Sequence, residues 1–461
     1  MRLVSCICVL TAGALCVSAM STKPSEEPAH KAGTPFCVKS QDVSGADVLT
    51  IFVTGNELGE LRPCGCSGGQ LGGFDRRWAV LNSAGASKRM IVDAGSFVKS
   101  DSEQDQIKFD IIIEAFSRLD YDLVNLTEKD IEIARNRGLL DSISAAFNII
   151  SSQGPPDVNV PAKFTKRFSL NNSVVAVNIA SVDLANGYIK RLGGLLTRPT
   201  CTEIVATNLN MLILNERDAA AIDTISKMGI VDCLVVPSES DEPEVISEPN
   251  KSPLVISVGR YGRYVCRLQI KATEAKDRLK LGFRAIPVTE DLDRKSSLVQ
   301  LYKAYQQFVK EAELLERQPC FPLPNGLEYV GSESCGLCHE HEYEYKKWST
   351  GPHAHAYARL EKVGSQYDPE CVVCHVVGMG YESGFVSEEK TGHLKNVGCE
   401  NCHGPGSKHI KEPLKEKTSM PMSDCTDCHT PETSGEYMDK EQLYFEKIIH
   451  WREPNAAGNV K

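Results

Sequence analysis

Four times in the last third of the chain, two cysteines separated by two residues are followed at once by a histidine. The sets are Cys335-Gly336-Leu337-Cys338-His339, Cys371-Val372-Val373-Cys374-His375, Cys399-Glu400-Asn401-Cys402-His403 and Cys425-Thr426-Asp427-Cys428-His429. Scattering 18 cysteines and 11 histidines over 461 residues yields about 0.02 such motifs, so four are not accidental. Thiols at this spacing reach the two vinyl groups on one porphyrin edge and form thioethers. The histidine that follows then sits under the iron. The expected cofactors are four covalent haems c, with His339, His375, His403 and His429 as proximal ligands. Zinc sites also use Cys-x-x-Cys pairs but do not need a histidine after each. An oxidising compartment disfavours zinc thiolates further.

The opposite axial ligands must come from elsewhere. Six other histidines lie in this region: His341, His353, His355, His393, His409 and His450. Met379, Met420, Met422 and Met438 are weaker candidates, since methionine ligation raises the potential. The surplus of imidazole favours bis-histidine haems of negative potential.

These motifs need a scaffold, and the sequence supplies an unusual one. After Leu327 the chain is dense in Cys, His, Gly and Pro and poor in aliphatic periodicity. About 135 residues of this kind struggle to build an ordinary core, so the haems themselves must fill it. The expected second domain is a small, mainly helical and loop-rich multihaem cytochrome over 328–461, after a breaker-rich linker at 319–327.

The preceding stretch, 48–318, reads as an α/β sandwich. Runs rich in β-branched residues predict strands at Leu49–Thr54, Met90–Val92, Leu123–Leu126, Val174–Ile179, Met211–Leu214, Leu234–Val236, Leu254–Val258 and Val265–Ile270. Helical periodicity marks Ile107–Leu119, Ala219–Met228 and a long helix over Asp293–Arg317.

The N-terminus reads as a secretory signal over 1–19: Arg2, an apolar run, then Val17-Ser18-Ala19. A Ser-, Pro-, Glu- and Lys-rich tether follows over 20–47. The expected location is the periplasm or cell envelope. Membrane association is expected only if the N-terminal segment stays uncleaved. A net charge of −10 argues against nucleic acid as a partner. Outside the signal and the haem motifs, seven cysteines remain: Cys37, Cys64, Cys66, Cys201, Cys233, Cys266 and Cys320. Their number is odd, so at least one stays unpaired or pairs elsewhere.

Residues 328–451 resemble the cytochrome c-554 family of tetrahaem carriers. The resemblance rests on Tyr329-Val330-Gly331, on Trp348 to Ala356 after the first motif, and on Gly398-Cys399-Glu400-Asn401-Cys402-His403-Gly404-Pro405-Gly406-Ser407-Lys408-His409. It implies axial roles for His353 or His355, for His409 and for His450. Some relatives leave one haem five-coordinate.

Residues 48–290 resemble exported metallophosphatases of the 5′-nucleotidase type. Leu61-Arg62-Pro63-Cys64-Gly65-Cys66, Gly72-Gly73-Phe74-Asp75-Arg76-Arg77 and Ile91-Val92-Asp93-Ala94-Gly95 carry that likeness. It implies two β-sheets flanked by helices. The metal-binding positions depart from the family pattern: Asn56 and Leu58 replace Asp and His, Ser96 replaces Asp, Glu128-Lys129 replaces Asn-His, and Ser238 and Ser240 replace two histidines. No histidine lies between His30 and His339. A dinuclear phosphoesterase needs imidazole as well as carboxylate, so a phosphatase fold without phosphatase chemistry is expected, serving as a docking or sensing module. Cys64 and Cys66, one residue apart, form a candidate redox dithiol; the alternative is ordinary bridges to Cys37, Cys201, Cys233 or Cys266. Electron transfer with redox partner proteins, other cytochromes or a quinol-linked complex, is the leading functional expectation. A multihaem or dithiol oxidoreductase acting on a small nitrogen or sulfur compound is the alternative, and a metal-dependent nucleotidase the least favoured.

Overall fold

A computed structural model describes residues 47–63, 69–152, 160–170, 173–185, 187–197, 206–248, 251–272, 279–419, 425–430, 433–434 and 437–450. The expected signal, the expected tether up to residue 46, Cys37, Cys64, Cys66, Cys201, Met420 and Met422 lie outside these residues.

Among the described residues the first region has eleven strands: β1 (Leu49–Thr54), β2 (Arg89–Asp93), β3 (Leu123–Asn125), β4 (Asn148–Ile150), β5 (Lys163–Leu170), β6 (Ser173–Val182), β7 (Ala206–Leu214), β8 (Cys233–Val236), β9 (Leu254–Ser257), β10 (Tyr264–Ala272) and β11 (Leu279–Pro287). Its helices are α1 (Phe74–Leu81), α2 (Glu103–Arg118), α3 (Glu128–Asn136), α4 (Leu140–Ala146), α5 (Tyr188–Leu195), α6 (Ala219–Lys227) and α7 (Ser296–Glu311). One sheet runs β11-β10-β1-β2-β3-β4 and the other β5-β6-β7-β8-β9. The pairings within β1 to β4 and within β6 to β9 are parallel, while β10, β11 and β5 join antiparallel.

Strand alternation explains the layers. Leu49, Ile51 and Val53 of β1 turn toward Val175, Val177 and Ile179 of β6 in the core between the sheets. Phe52, Ile91 and Val124 turn the other way, onto Phe109, Ile112 and Phe116 of α2 and Tyr305 and Val309 of α7. On the outer face of the second sheet, Leu212, Leu214 and Leu234 meet Leu192 and Ile225 of α5 and α6. Cys233 and Cys266 are buried free thiols in the central core, not the structural bridges weighed above. The helix expected over 293–317 is shorter, Ser296–Glu311, because Glu313 takes a left-handed backbone that ends it.

The second region consists of short helices: α8 (Ser332–His339), α9 (Tyr343–Ser349), α10 (Ala356–Val363), α11 (Pro369–Val372), α12 (Glu388–Thr391), α13 (Cys399–His403), α14 (Ser407–Lys411) and α15 (Glu441–Ile448). Its apolar cluster is small: Leu315, Tyr357, Leu360, Val372, Val376, Val377, Phe385 and Leu394. Phe321, inside the expected linker, bridges to Tyr381.

The two regions meet through the segment leading to the second motif. Asp368 accepts hydrogen bonds from Gln104 Nε2 (2.8 Å), Tyr305 Oη (3.0 Å) and Gln306 Nε2 (3.3 Å). Lys108 Nζ donates to Glu370 (2.6 Å), and Tyr367 packs on the core of the first region.

Candidate haem centres and the altered metal positions

Each motif sits on a short, locally fixed turn. The first lies on α8 and the third on α13, while Cys425–Asp427 form a single 3₁₀ turn. Asp368 caps α11 by accepting from the Glu370 backbone N–H (3.1 Å), and Pro369 follows it at the first helical position. The third motif is tied down most firmly. The Glu400 carboxylate is buried and accepts the backbone N–H groups of Val330 (3.0 Å), Gly331 (2.8 Å) and Gly406 (2.7 Å). Asn401 accepts from Gly398 N (2.7 Å) and donates to the Val376 carbonyl (2.9 Å). These two residues between the cysteines knit three haem motifs together, a role the motif spacing alone did not assign.

The histidines fall into facing pairs. The rings of His339 and His409 lie 6.4 Å apart with an interplanar angle of 21°. His353 and His429 are 6.3 Å apart at 42°, and His403 and His450 are 6.0 Å apart at 77°. A metal bonded to two Nε2 atoms at about 2.0 Å each separates the ring centres by about 6 Å. The three pairs have the centre-to-centre spacing that one shared iron would require.

Backbone and side-chain acceptors hold the Nδ1 side of most of these rings. Nδ1 of His375 donates to the Ala356 carbonyl (2.6 Å), that of His403 to Ser419 (3.1 Å), that of His409 to Glu416 (2.7 Å) and that of His450 to Ile448 (2.8 Å). His339 Nδ1 pairs with the Glu342 carboxylate (2.6 Å), and His429 Nδ1 with Ser434 Oγ (2.9 Å). An occupied Nδ1 leaves Nε2 as the free lone pair, the arrangement a metal-binding imidazole needs. Burial lowers the proton affinity of His353, His375 and His429, which favours their neutral, ligating form.

His375 is different. Among the described residues no histidine ring faces it. His341, His355 and His393 are exposed and take no part in a ring pair. Of the two alternatives in the His353–His355 turn, His353 is the one brought to a motif. Cys335 lies beside Cys399, and Cys374 beside Cys428. The first motif thus adjoins the third, and the second adjoins the fourth.

The altered metal positions of the first region are occupied by internal contacts. Asn56 Nδ2 donates to Ser238 Oγ (3.3 Å) and to the Gly259 carbonyl (3.2 Å). Glu57 forms a buried pair with Arg77, with both oxygens engaged at 2.6 Å. Asp130 accepts from Ser96 N, Phe97 N and Thr127, and Lys129 Nζ donates to the Lys99 carbonyl. Asp93 accepts from Thr54 Oγ1 (2.6 Å) and Gly95 N (2.8 Å). Among the described residues no group of three His, Cys, Asp or Glu is placed to hold a metal ion. Asn56, Leu58 and Ser96 nonetheless keep left-handed backbones, with φ of 54°, 50° and 66°.

Residues 334–404 match the family model described as cytochrome c554 and c-prime. Cytochrome c-554 of Nitrosomonas europaea is 33% identical over 93 residues, a match covering 17% of this chain and 39% of that protein. The haem-motif region resembles the cytochrome c-554 family. Among solved structures, calcineurin-like phosphoesterase YfkN from Bacillus subtilis overlaps at TM-score 0.44 and 12% identity, over 58% of this chain and 98% of that one. A 5′-nucleotidase precursor from Thermus thermophilus overlaps at TM-score 0.42 and 15% identity, over 69% and 68%. The two-sheet architecture of the first region stands on its own topology. Among the described residues no helix is long and apolar enough to cross a membrane.

Proposed function

We propose that this chain transfers electrons through four covalent haems c, three of them bis-histidine and the fourth, on His375, five-coordinate. Three ring pairs at 6.0–6.4 Å, beside a fourth motif histidine that no histidine ring faces among the described residues, carry this reading. His339 with His409, His429 with His353, and His403 with His450 would hold three irons. When bound, each haem supplies a one-electron couple. The chain's own residues would fix the orientation of these rings through the partners of their Nδ1 atoms. The adjoining cysteines of motifs one and three, and of two and four, would place the haems held by those motifs beside each other. The signal-like N-terminus supports an exported, periplasmic location. Other cytochromes or a quinol-linked complex are the partners this chemistry suits. The first region would be a docking module without phosphatase activity, since its carboxylates are spent on internal contacts. The test is mass spectrometry with electron paramagnetic resonance on one mature sample. Four haem additions and one high-spin haem are expected; fewer additions, or no high-spin signal, would refute the corresponding half.

A second reading makes the molecule an oxidoreductase. The open face at His375 favours binding of a small nitrogen or sulfur compound there. Gln70 of the first region donates to the Thr433 carbonyl (3.2 Å) beside the fourth motif.

A further inference from the structure

We propose that Tyr437 is a positioning residue for the haem on His429: its ring lies against the face of the axial imidazole, fixes the plane of that ligand and favours the ferric state of the iron. The inference rests on the reading that Cys425, Cys428 and His429 hold a haem.

The chain after the fourth motif folds back over its own histidine. Thr433 Oγ1 donates to the Cys428 carbonyl (2.6 Å), and Ser434 N donates to the Thr430 carbonyl (2.8 Å). Tyr437 N then donates to the Ser434 carbonyl (2.7 Å), and Lys440 N to the Tyr437 carbonyl (2.8 Å). These successive turns set three side chains around one imidazole. Ser434 Oγ is 2.9 Å from His429 Nδ1. The Tyr437 ring is stacked on His429, with 4.9 Å between ring centres and 20° between planes. Tyr444 stands 6.2 Å from His429 at 59° and braces Tyr437 at 5.5 Å and 74°.

The other motif histidines are held differently. Backbone carbonyls hold Nδ1 of His375 and His403, and a carboxylate holds that of His339. A serine hydroxyl rotates and is a weaker acceptor than a carboxylate, so the hydrogen bond of His429 constrains its ring least. Among the described residues, His429 is the only motif histidine with a tyrosine, phenylalanine or tryptophan ring against it. Tyr437 is 6% exposed yet stands outside the apolar cluster of this region, so it is not there to build that core. Lys447 Nζ lies 4.7 Å from the Tyr444 ring centre, which already gives that ring a cation. Tyr437 is the ring left to face the ligand.

Two consequences follow for the iron. Turning His429 about its bond to the metal would drive the imidazole edge into the phenol ring, so stacking keeps the 42° angle to His353. The phenol also presents a negative π-face to an imidazole that is more positive when the iron is ferric. The ring therefore stabilises the ferric state and lowers the potential of this haem.

The experiment uses the full haem-loaded chain. The haem on His429 is identified as the low-spin paramagnetic signal that disappears in His353→Ala. In Tyr437→Leu that signal should move and broaden, and the potential of its haem should rise. Tyr437→Phe keeps the ring and should restore both. A further readout needs no variant: in wild-type protein carrying ring-deuterated tyrosine, spin-echo spectroscopy at that signal should show deuterium modulation. An unmoved signal and potential in Tyr437→Leu, a Tyr437→Phe variant that restores neither, or an absence of modulation overturns the proposal. Mass spectrometry of the same samples separates the two readings. A haem addition at Cys425 and Cys428 with an unmoved signal sinks this inference alone, while a missing addition there in the wild type sinks the haem assignment beneath it.

Discussion

The Glu370 carboxylate accepts from Lys108 Nζ at 2.6 Å, and the next residue in the chain is Cys371. A side chain of the first region therefore grips the second haem motif one residue from its attachment point. The grip is reinforced by Asp368, which serves both as helix cap and as acceptor for α2 and α7.

Asp368→Ala should loosen that grip. It removes an N-cap and leaves Tyr305, Gln104 and Gln306 without their shared acceptor, a loss of about 3 kcal/mol. Calorimetry should show a lower Tm, and limited proteolysis should open the junction near residues 318–327. An unchanged Tm would mean that the contact is incidental.

The facing pairs predict the effect of each histidine. His409→Ala, His450→Ala and His353→Ala should each convert one low-spin haem to high spin, read by optical and paramagnetic spectra. His355→Ala should leave the spectrum as it is. If His355 and His353 exchanged these outcomes, the assignment within that turn would be reversed.

The first region, in the intact protein, should hydrolyse neither nucleotides nor simple phosphomonoesters with manganese, zinc or calcium present. A two-metal site must hold its ions at fixed separation to clamp phosphoryl oxygens. Here Asn56 and Ser238 bond each other, and Lys129 carries positive charge where a ligand should stand. Metal-dependent turnover that disappears in Asp130→Asn would restore the nucleotidase reading.

Asp93 predicts how stability varies with pH. Burial, with the nearby Glu57, raises its carboxyl from 3.8 to about 8. The folded state then binds this proton more tightly than the unfolded chain does. The stabilisation is complete below about pH 4 and is lost as pH rises toward about 8. Unfolding of the first region should therefore occur at lower temperature at pH 8 than at pH 6, by a few degrees. Asp93→Asn should flatten that slope.

What the sequence disclosed follows from how local each signal is. The haem motifs are complete within five residues, so they could be read directly. Strands such as β1 and β7 announce themselves by apolar runs buried on both faces. The edge strands β5 and β11 escaped notice because Lys163, Lys166 and Arg167, and Lys280 and Arg284, interrupt them, as solvent-facing edges permit. The axial partners depend on chain segments far apart in sequence, which no spacing rule encodes. The choice of His353 over His355 required the turn that buries Ala354 between them. Glu400 and Asn401 looked like filler between cysteines until their bonds to Val330, Gly331 and Val376 were seen.

The contact between Cys335 and Cys399 bears on how the protein must be made. These two thiols belong to different motifs and lie beside each other in the fold. In an oxidising compartment, neighbouring thiols are drawn toward a disulfide. A bond between these two would consume a thioether position in two motifs at once. On the reading that both motifs carry haem, attachment that precedes closure of this region would keep both thioether positions available.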